Sequence, residues 1–139
     1  MSFESSISGA PVALVVDDDQ FVLDAMCRVL ERAGFEVWRA ESPARALSFA
    51  ARLPAVDILL CEALMPGMSG CDLARQVAGL HPEARCLFTA GQPDSPEITE
   101  RIVAHRLPLL PKPFLPSALI LKVREVLEAP VTQTAAGTV

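Results

Sequence analysis

The sequence contains no tyrosine and only one tryptophan, and aromatic residues make up 5% of its 139 residues. It has no apolar run near the roughly 20 residues that a membrane-spanning helix needs. Its first ten residues lack the basic start and apolar core of a secretory signal. Twelve basic residues against 17 acidic ones give a net charge of −5, which argues against contact with a nucleic-acid backbone. These absences favour a cytoplasmic protein with no membrane insertion and no direct nucleic-acid partner.

The four cysteines show no CxxC spacing, and two of them lie inside apolar runs. Reduced, buried thiols are expected for such a pattern in a reducing compartment. With 51% hydrophobic residues, the chain has enough apolar side chains for one domain with a core. Residues 1–10 and 129–139 lack apolar periodicity, so we predict flexible tails around a folded domain at 11–128.

Five apolar segments alternate with five helical patterns along the chain. The continuous apolar run VALVV at 12–16 predicts a strand covered on both faces, as in a parallel sheet beneath helices. Ser42-Pro43 and Ser95-Pro96 each place a capping serine before a proline, a typical start of a helix. The predicted strands are 12–16, 35–40, 56–61, 85–88 and 107–110, and the predicted helices are 22–33, 42–52, 70–80, 95–105 and 116–128. This alternation predicts an α/β fold with a doubly wound, five-stranded parallel sheet.

Polar residues follow the predicted strands at the sheet edge where such folds bind ligands. Carboxylates lying together repel one another and need a cation, and oxygen donors suit Mg²⁺. A hydroxyl and an ammonium at the same edge suit an anionic, phosphoryl-like group. The residues expected there are Asp17, Asp18, Glu62, Thr89 and Lys112. Asp17 and Asp18 have a simpler alternative, because acids also favour the start of a helix.

Four motifs occur in order at these strand ends: VVDDD at 15–19, Glu62 followed by MPGMSG at 65–70, Thr89-Ala90, and LPKPF at 110–114. Together they resemble a two-component response-regulator receiver domain over about residues 11–128. The resemblance implies a flavodoxin-like (βα)5 fold with strand order 2-1-3-4-5 and a cis Lys112–Pro113 bond. It also implies a non-enzymatic signalling module, acting as a monomer or weak homodimer.

The resemblance implies a role for each site residue. Asp17 and Asp18 would hold Mg²⁺, with Glu62 and the backbone carbonyl of Leu64 as further ligands. The residue at position 62 would accept a phosphoryl group from a histidine kinase or phosphotransfer protein. Thr89 and Lys112 would bind the phosphoryl oxygens. A downstream protein target would then bind the surface formed by residues 96–105, 107–110 and 116–128.

Two positions depart from the family pattern. Glu62 stands where receivers have aspartate, and Leu109 stands at a switch position where they have an aromatic residue or histidine. The extra methylene of Glu62 displaces the carboxylate by roughly 1.5 Å, and a misplacement of about 1 Å can cost on the order of 10²-fold in rate. We therefore expect impaired phosphorylation. The Glu62 carboxylate would reach toward Lys112 and Thr89 and act as a phosphomimic, which would make the domain a pseudo-receiver.

Three alternatives stay open at this point. Glu62 could still be phosphorylated despite its length, or it could be an engineered substitution. The acids Asp17 and Asp19 also fit a Mg²⁺-dependent phosphatase of the haloacid-dehalogenase type. Against that class, Phe21 stands where its motif has Thr or Val, and no late acidic pair follows.

Overall fold

The computed structural model describes residues 9–130. Five strands alternate with five helices in that range. The strands are β1 (Val12–Val16), β2 (Glu36–Ala40), β3 (Ile58–Glu62), β4 (Arg85–Ala90) and β5 (Leu109–Pro111). The helices are α1 (Gln20–Arg32), α2 (Pro43–Arg52), α3 (Gly70–Leu80), α4 (Pro96–Ile98) and α5 (Pro116–Glu128). A π-helical segment, Thr99–Val103, continues directly from α4.

All strands are parallel and lie in the order β2-β1-β3-β4-β5. Alternate residues of the strands face two separate cores. Leu14 and Val16 pack with α2, α3 and α4, whereas Ala13 and Val15 pack with α1 and α5. The doubly wound, flavodoxin-like fold and its strand order are therefore confirmed.

Side-chain caps explain where most helices begin. Asp19 accepts hydrogen bonds from the backbone N–H groups of Phe21 and Val22 at the start of α1. Ser42 and Ser95 cap α2 and α4, each before a proline, which confirms these two predicted helix starts. Ser69 caps α3 by accepting a hydrogen bond from the Asp72 N–H.

Most strand boundaries differ from prediction by one or two residues, and one helix differs in type. β3 begins at Ile58 instead of residue 56, since the Asp57 carboxylate accepts a hydrogen bond from the Val12 N–H just before the strand. β4 continues to Ala90, and β5 begins only after Pro108, which has no N–H to donate. The fourth helix is α-helical for three residues and then π-helical.

Most of the two predicted tails, residues 1–8 and 131–139, lies outside the described residues. The Ala129 carbonyl, in the predicted C-terminal tail, accepts hydrogen bonds from the Arg85 guanidinium. No helix between residues 9 and 130 is long and apolar enough to cross a membrane. The Lys112–Pro113 bond is cis, as predicted.

Candidate functional site

The candidate site lies where β1, β3, β4 and β5 end. Parallel pairing places Glu62, the last residue of β3, opposite Thr89 on β4. Asp17 follows β1, and Lys112 follows β5. Asp17, Glu62 and Lys112 line one cavity at this sheet edge together with Asp18, Asp19, Leu64, Gly91 and Gln92. The C-terminal edge of the sheet therefore carries a cavity rich in carboxylates with one ammonium group.

Asp17 is fully enclosed, with 1% of its surface exposed. Its Oδ1 accepts a hydrogen bond from the Asp19 N–H at 2.9 Å, and its Oδ2 accepts one from Lys112 Nζ at 2.7 Å. Asp18 is exposed, and Asp19 is used as the cap of α1. The three consecutive acids thus have three different environments, and only Asp17 is buried.

Glu62 is also buried, and each of its carboxylate oxygens has a partner. Oε1 accepts a hydrogen bond from Lys112 Nζ at 2.5 Å, and Oε2 accepts one from the Leu64 N–H at 3.1 Å. The bond to Leu64 closes a turn immediately after β3. The carboxylate is therefore held between a cation on one side and its own loop backbone on the other.

Lys112 is the only cation contacting these two buried acids among the described residues. Burial acts to lower the pKa of Lys112, but its hydrogen bonds to Asp17 and Glu62 outweigh burial and raise the pKa above its usual value. The ammonium is therefore charged at physiological pH. It partly neutralises two carboxylates that would otherwise repel each other inside the protein.

Thr89 lies beside this network without joining it. Its hydroxyl is completely buried and has no hydrogen-bond partner among residues 9–130. Buried hydroxyls normally have such a partner. The expected contact between Glu62 and Thr89 is thus absent from the described structure, because the Glu62 oxygens are taken by Lys112 and Leu64. Thr89 keeps an unused donor at the sheet edge.

Leu109 lies apart from the cavity. It is half-buried and lines a separate groove between the π-helical segment, β5 and α5, together with Val103, Lys122 and Val126. Its side chain packs against the core cluster that includes Phe88. At this position the structure shows a packing residue at an outer face and no polar contact to the acids.

The sequence did not reveal two features of the site. The resemblance implies a role for the Leu64 carbonyl only, whereas the structure also shows the Leu64 N–H bound to Glu62. Gly70 begins the predicted helix at 70–80, yet the sequence gives no sign that a Cβ there would lie 2.5 Å from the Glu62 carbonyl oxygen. Ser69 preceding a glycine and an acid three residues later gave a signal for the cap, but no local pattern announces the close approach of α3 to β3.

Comparison with known proteins assigns this chain to a family. The sequence model of the response regulator receiver domain matches residues 13–124. The chain therefore belongs to the response regulator receiver domain family.

Individual relatives agree with this assignment. The chain is 30% identical over 125 residues to the sensor kinase CckA of Brucella abortus, covering 89% of this chain and 13% of that protein. It is 31% identical over 117 residues to the response regulator protein TmoT of Ectopseudomonas mendocina, covering 84% and 53%. A crystal structure of a CheY-like receiver domain protein from Methanospirillum hungatei JF-1 superimposes with a TM-score of 0.75 at 27% identity, covering 86% and 94%. The chain spans only part of its curated relatives.

Receiver domains generally bind Mg²⁺, and they interact with histidine kinases and downstream effectors in two-component signalling. The donors at this cavity fit a hard cation, because carboxylate oxygens of Asp17, Asp18 and Glu62 line it. They are not preassembled: within the described part of the chain, no three His, Cys, Asp or Glu side chains converge on a metal position. Lys112 instead holds one oxygen each of Asp17 and Glu62.

Proposed function

We propose that this chain is a receiver module that signals through protein–protein contacts, with Glu62 standing in for a phosphorylated acceptor. The contacts of the Glu62 carboxylate support this proposal. Its oxygens bind the Lys112 ammonium and a backbone N–H two residues downstream. These are two kinds of donor that an anionic group at this sheet edge requires. Glutamate supplies one negative charge where a phosphorylated side chain carries nearly two, and it leaves Thr89 unbound, so the imitation is partial.

The same contacts oppose phosphoryl transfer to Glu62. A nucleophilic carboxylate oxygen must face the donor phosphorus in line, but both Glu62 oxygens are engaged in hydrogen bonds. Misplacement by about 1 Å costs on the order of 10²-fold in rate. A histidine kinase or phosphotransfer protein would therefore meet an acceptor that is both displaced and occupied. The partners that matter are then the downstream protein targets.

The labelling experiment compares wild type with Glu62→Asp and Glu62→Gln. Each protein is incubated with acetyl phosphate and Mg²⁺, and its intact mass is measured. We expect no phosphoryl adduct on wild type and a clear adduct on Glu62→Asp, because the shorter side chain withdraws from Lys112 and Leu64. An adduct on wild type that is lost in Glu62→Gln would contradict the proposal.

A second experiment tests whether the charge itself is the signal. Partner proteins captured by wild type are compared with those captured by Glu62→Gln, which keeps the shape of the side chain and removes its charge. We expect capture of the downstream target to fall at least several-fold in Glu62→Gln. Equal capture by wild type and Glu62→Gln would mean that the partner does not recognise the state set by the Glu62 charge.

One observation favours a second candidate function, a receiver that is still phosphorylated at Glu62. The Thr89 hydroxyl is buried beside the cavity without a partner, so it remains free for a phosphoryl oxygen. Loss of a wild-type adduct in Thr89→Ala would support this candidate. The phosphatase alternative has no comparable support, since Asp19, the second acid of that motif, is used to cap α1.

Within this proposal, Mg²⁺ would be held by Asp17 and Asp18, with the Leu64 carbonyl and Glu62 as further oxygen donors. The ion would offset the negative charge of these carboxylates. The partner surface would be α4, the π-helical segment, β5 and α5, where Leu121 is 71% exposed and Val103 51% exposed. The chain would act in the cytoplasm as a monomer or weak homodimer.

A further inference from the structure

Arg101, in the π-helical segment, reaches across to the beginning of α3. Its Nη1 donates a hydrogen bond to Ser69 Oγ at 3.2 Å, and its Nη2 donates one to Asp72 Oδ1 at 3.0 Å. The two partners lie about 30 residues earlier in the chain. A guanidinium can make two such bonds at once because its donors form a rigid fork. The contact is therefore a specific bridge between two elements that the sequence separates.

The bridge ends on the residues that begin α3. Ser69 is the cap of α3, and its Oγ also accepts the hydrogen bond from the Asp72 N–H. The next residue, Gly70, donates a backbone hydrogen bond to the Ala63 carbonyl at 2.8 Å. Gly70 also lies against the Glu62 carbonyl, so close that a Cβ would not fit. Arg101 is thus connected through one helical turn to the end of the strand that carries Glu62.

The two elements also face each other beside the bridge. Residues of the β3–α3 loop and Glu97 of α4 line one shallow cavity: Leu64, Met65, Pro66, Gly67, Met68, Ser69 and Glu97. Ile98 and Ile102 anchor α4 and the π-helical segment in the same core on which Met65 and Met68 pack. Among the described residues, Arg101 makes every hydrogen bond and ion pair that joins the start of α3 to the π-helical segment.

We propose that Arg101 is a positioning residue that couples the β3–α3 loop, residues 63–69, to α4 and the π-helical segment, so that both open together. Because the bridge joins the two elements, opening either one breaks the same charge-assisted hydrogen bonds and costs free energy. Without it, only apolar contacts join the two elements, and each opens independently. The coupling concerns the loop that follows position 62 and does not depend on whether Glu62 acts as a phosphomimic.

Hydrogen–deuterium exchange in the full chain tests the coupling. Arg101→Gln removes the bridge from one side, and Asp72→Ala removes its charged half from the other. We expect amide exchange to become about five-fold faster in both 63–69 and 96–103 in either variant. The double variant should show the same increase as each single one, because both substitutions break a single contact. Arg75→Gln is the matched control, since Arg75 lies 4.0 Å from the same Asp72 carboxylate but on α3 itself.

Several results would overturn the proposal. Faster exchange confined to 96–103 would mean that Arg101 secures only its own helix. Additive effects in the double variant would mean that Arg101 and Asp72 act independently. An equal rise in β1 would mean that the substitutions weaken the whole domain, and an equal effect of Arg75→Gln would mean that charge near Asp72 suffices. The same measurement in the Glu62→Gln background should give the same coupling, which separates this proposal from the proposed function.

Discussion

The length of the Glu62 side chain determines which groups its carboxylate meets. Glu62 extends far enough to contact Lys112 and then folds back to the N–H of Leu64. It does not engage the hydroxyl of Thr89, which is opposite it in the sheet register. The Glu62 carboxylate therefore binds the Lys112 ammonium and the Leu64 N–H, while the Thr89 hydroxyl stays without a partner among the described residues. Lys112 is central to this arrangement, because it is the counterion of two buried acids.

Lys112→Met should destabilise the protein by about 3 kcal/mol at pH 7, because it leaves Asp17 and Glu62 buried without a counterion. Urea denaturation measures the loss. Added Mg²⁺ should stabilise Lys112→Met more than wild type, since the ion can occupy the place of the ammonium.

The raised pKa of Lys112 sets the pH dependence of its contribution to stability, which is complete below its usual pKa of 10.5. That contribution is lost only as the pH rises through the higher folded-state value.

Lys122→Met is the control for this prediction. Lys122 forms an ion pair with Glu125, which is largely exposed, so its removal should change stability by less than about 1 kcal/mol. Equal stability of Lys112→Met and wild type, with no difference in the response to Mg²⁺, would show that Asp17 and Glu62 do not depend on the ammonium.

Gly70→Ala should destabilise the protein by about 2 kcal/mol, because its Cβ would meet the Glu62 carbonyl oxygen at 2.5 Å and the backbone would have to move. Gly79→Ala is a matched control in the same helix. Gly79 is exposed, and a Cβ there meets nothing within 4 Å, so alanine should stabilise by about 0.5–1 kcal/mol through helix propensity. Denaturation midpoints of the two variants should therefore move in opposite directions. A shift in the same direction would contradict the steric argument.

At the scale of elements, local signals predicted where helices begin better than how they continue. Ser42-Pro43 and Ser95-Pro96 marked real helix starts, because capping involves only neighbouring residues. The π-helical continuation of α4 was not predicted. It depends on which backbone carbonyl each N–H finds, as in the bond from Ala104 to Thr99, and hydrophobic periodicity does not specify that choice. β3 ends one residue later than predicted and β4 two residues later, since pairing between Glu62 and Thr89 carries both strands beyond their apolar runs.

The link between α3 and the π-helical segment should be visible in the titration of Asp72. Hydrogen bonds from Arg101 and then Ser69 lower the pKa of this carboxyl below its usual value. Its contribution to stability is therefore present above the unfolded-state pKa and is lost as the pH falls through the lower folded-state value. An NMR titration should show the Asp72 pKa rising toward its usual value in Arg101→Gln, with a smaller change in Arg75→Gln. An unchanged pKa in Arg101→Gln would show that the bond is not maintained in solution.

At the scale of the whole molecule, the order of the motifs along the chain predicted which residues meet at the site. It did not predict the contacts that these residues make. Four motifs after four strands were enough to predict that Asp17, Glu62 and Lys112 converge, because parallel strands end at one edge of a sheet. Which oxygen binds which donor depends on side-chain length and on the path of the β3–α3 loop. The expected contact between Glu62 and Thr89 is therefore missing, and the bond from the Leu64 N–H to Glu62 was not predicted, although both residues lie at the predicted edge.

The four cysteines provide a measure of how the whole domain opens. All are free and buried, and burial raises their pKa values, to about 11 for Cys27. At pH 7 we expect the native thiols to react with a disulfide reagent at least 10²-fold more slowly than the unfolded chain. Cys61 and Cys86 lie in the central strands β3 and β4, so they should react only after global unfolding, and their rates should follow the urea dependence of stability. Cys27 and Cys71 lie on helices and should react earlier through local opening. If Cys61 and Cys86 were modified as fast as Cys27, measured by mass spectrometry of the labelled peptides, the central sheet would not be the most stable part of the molecule.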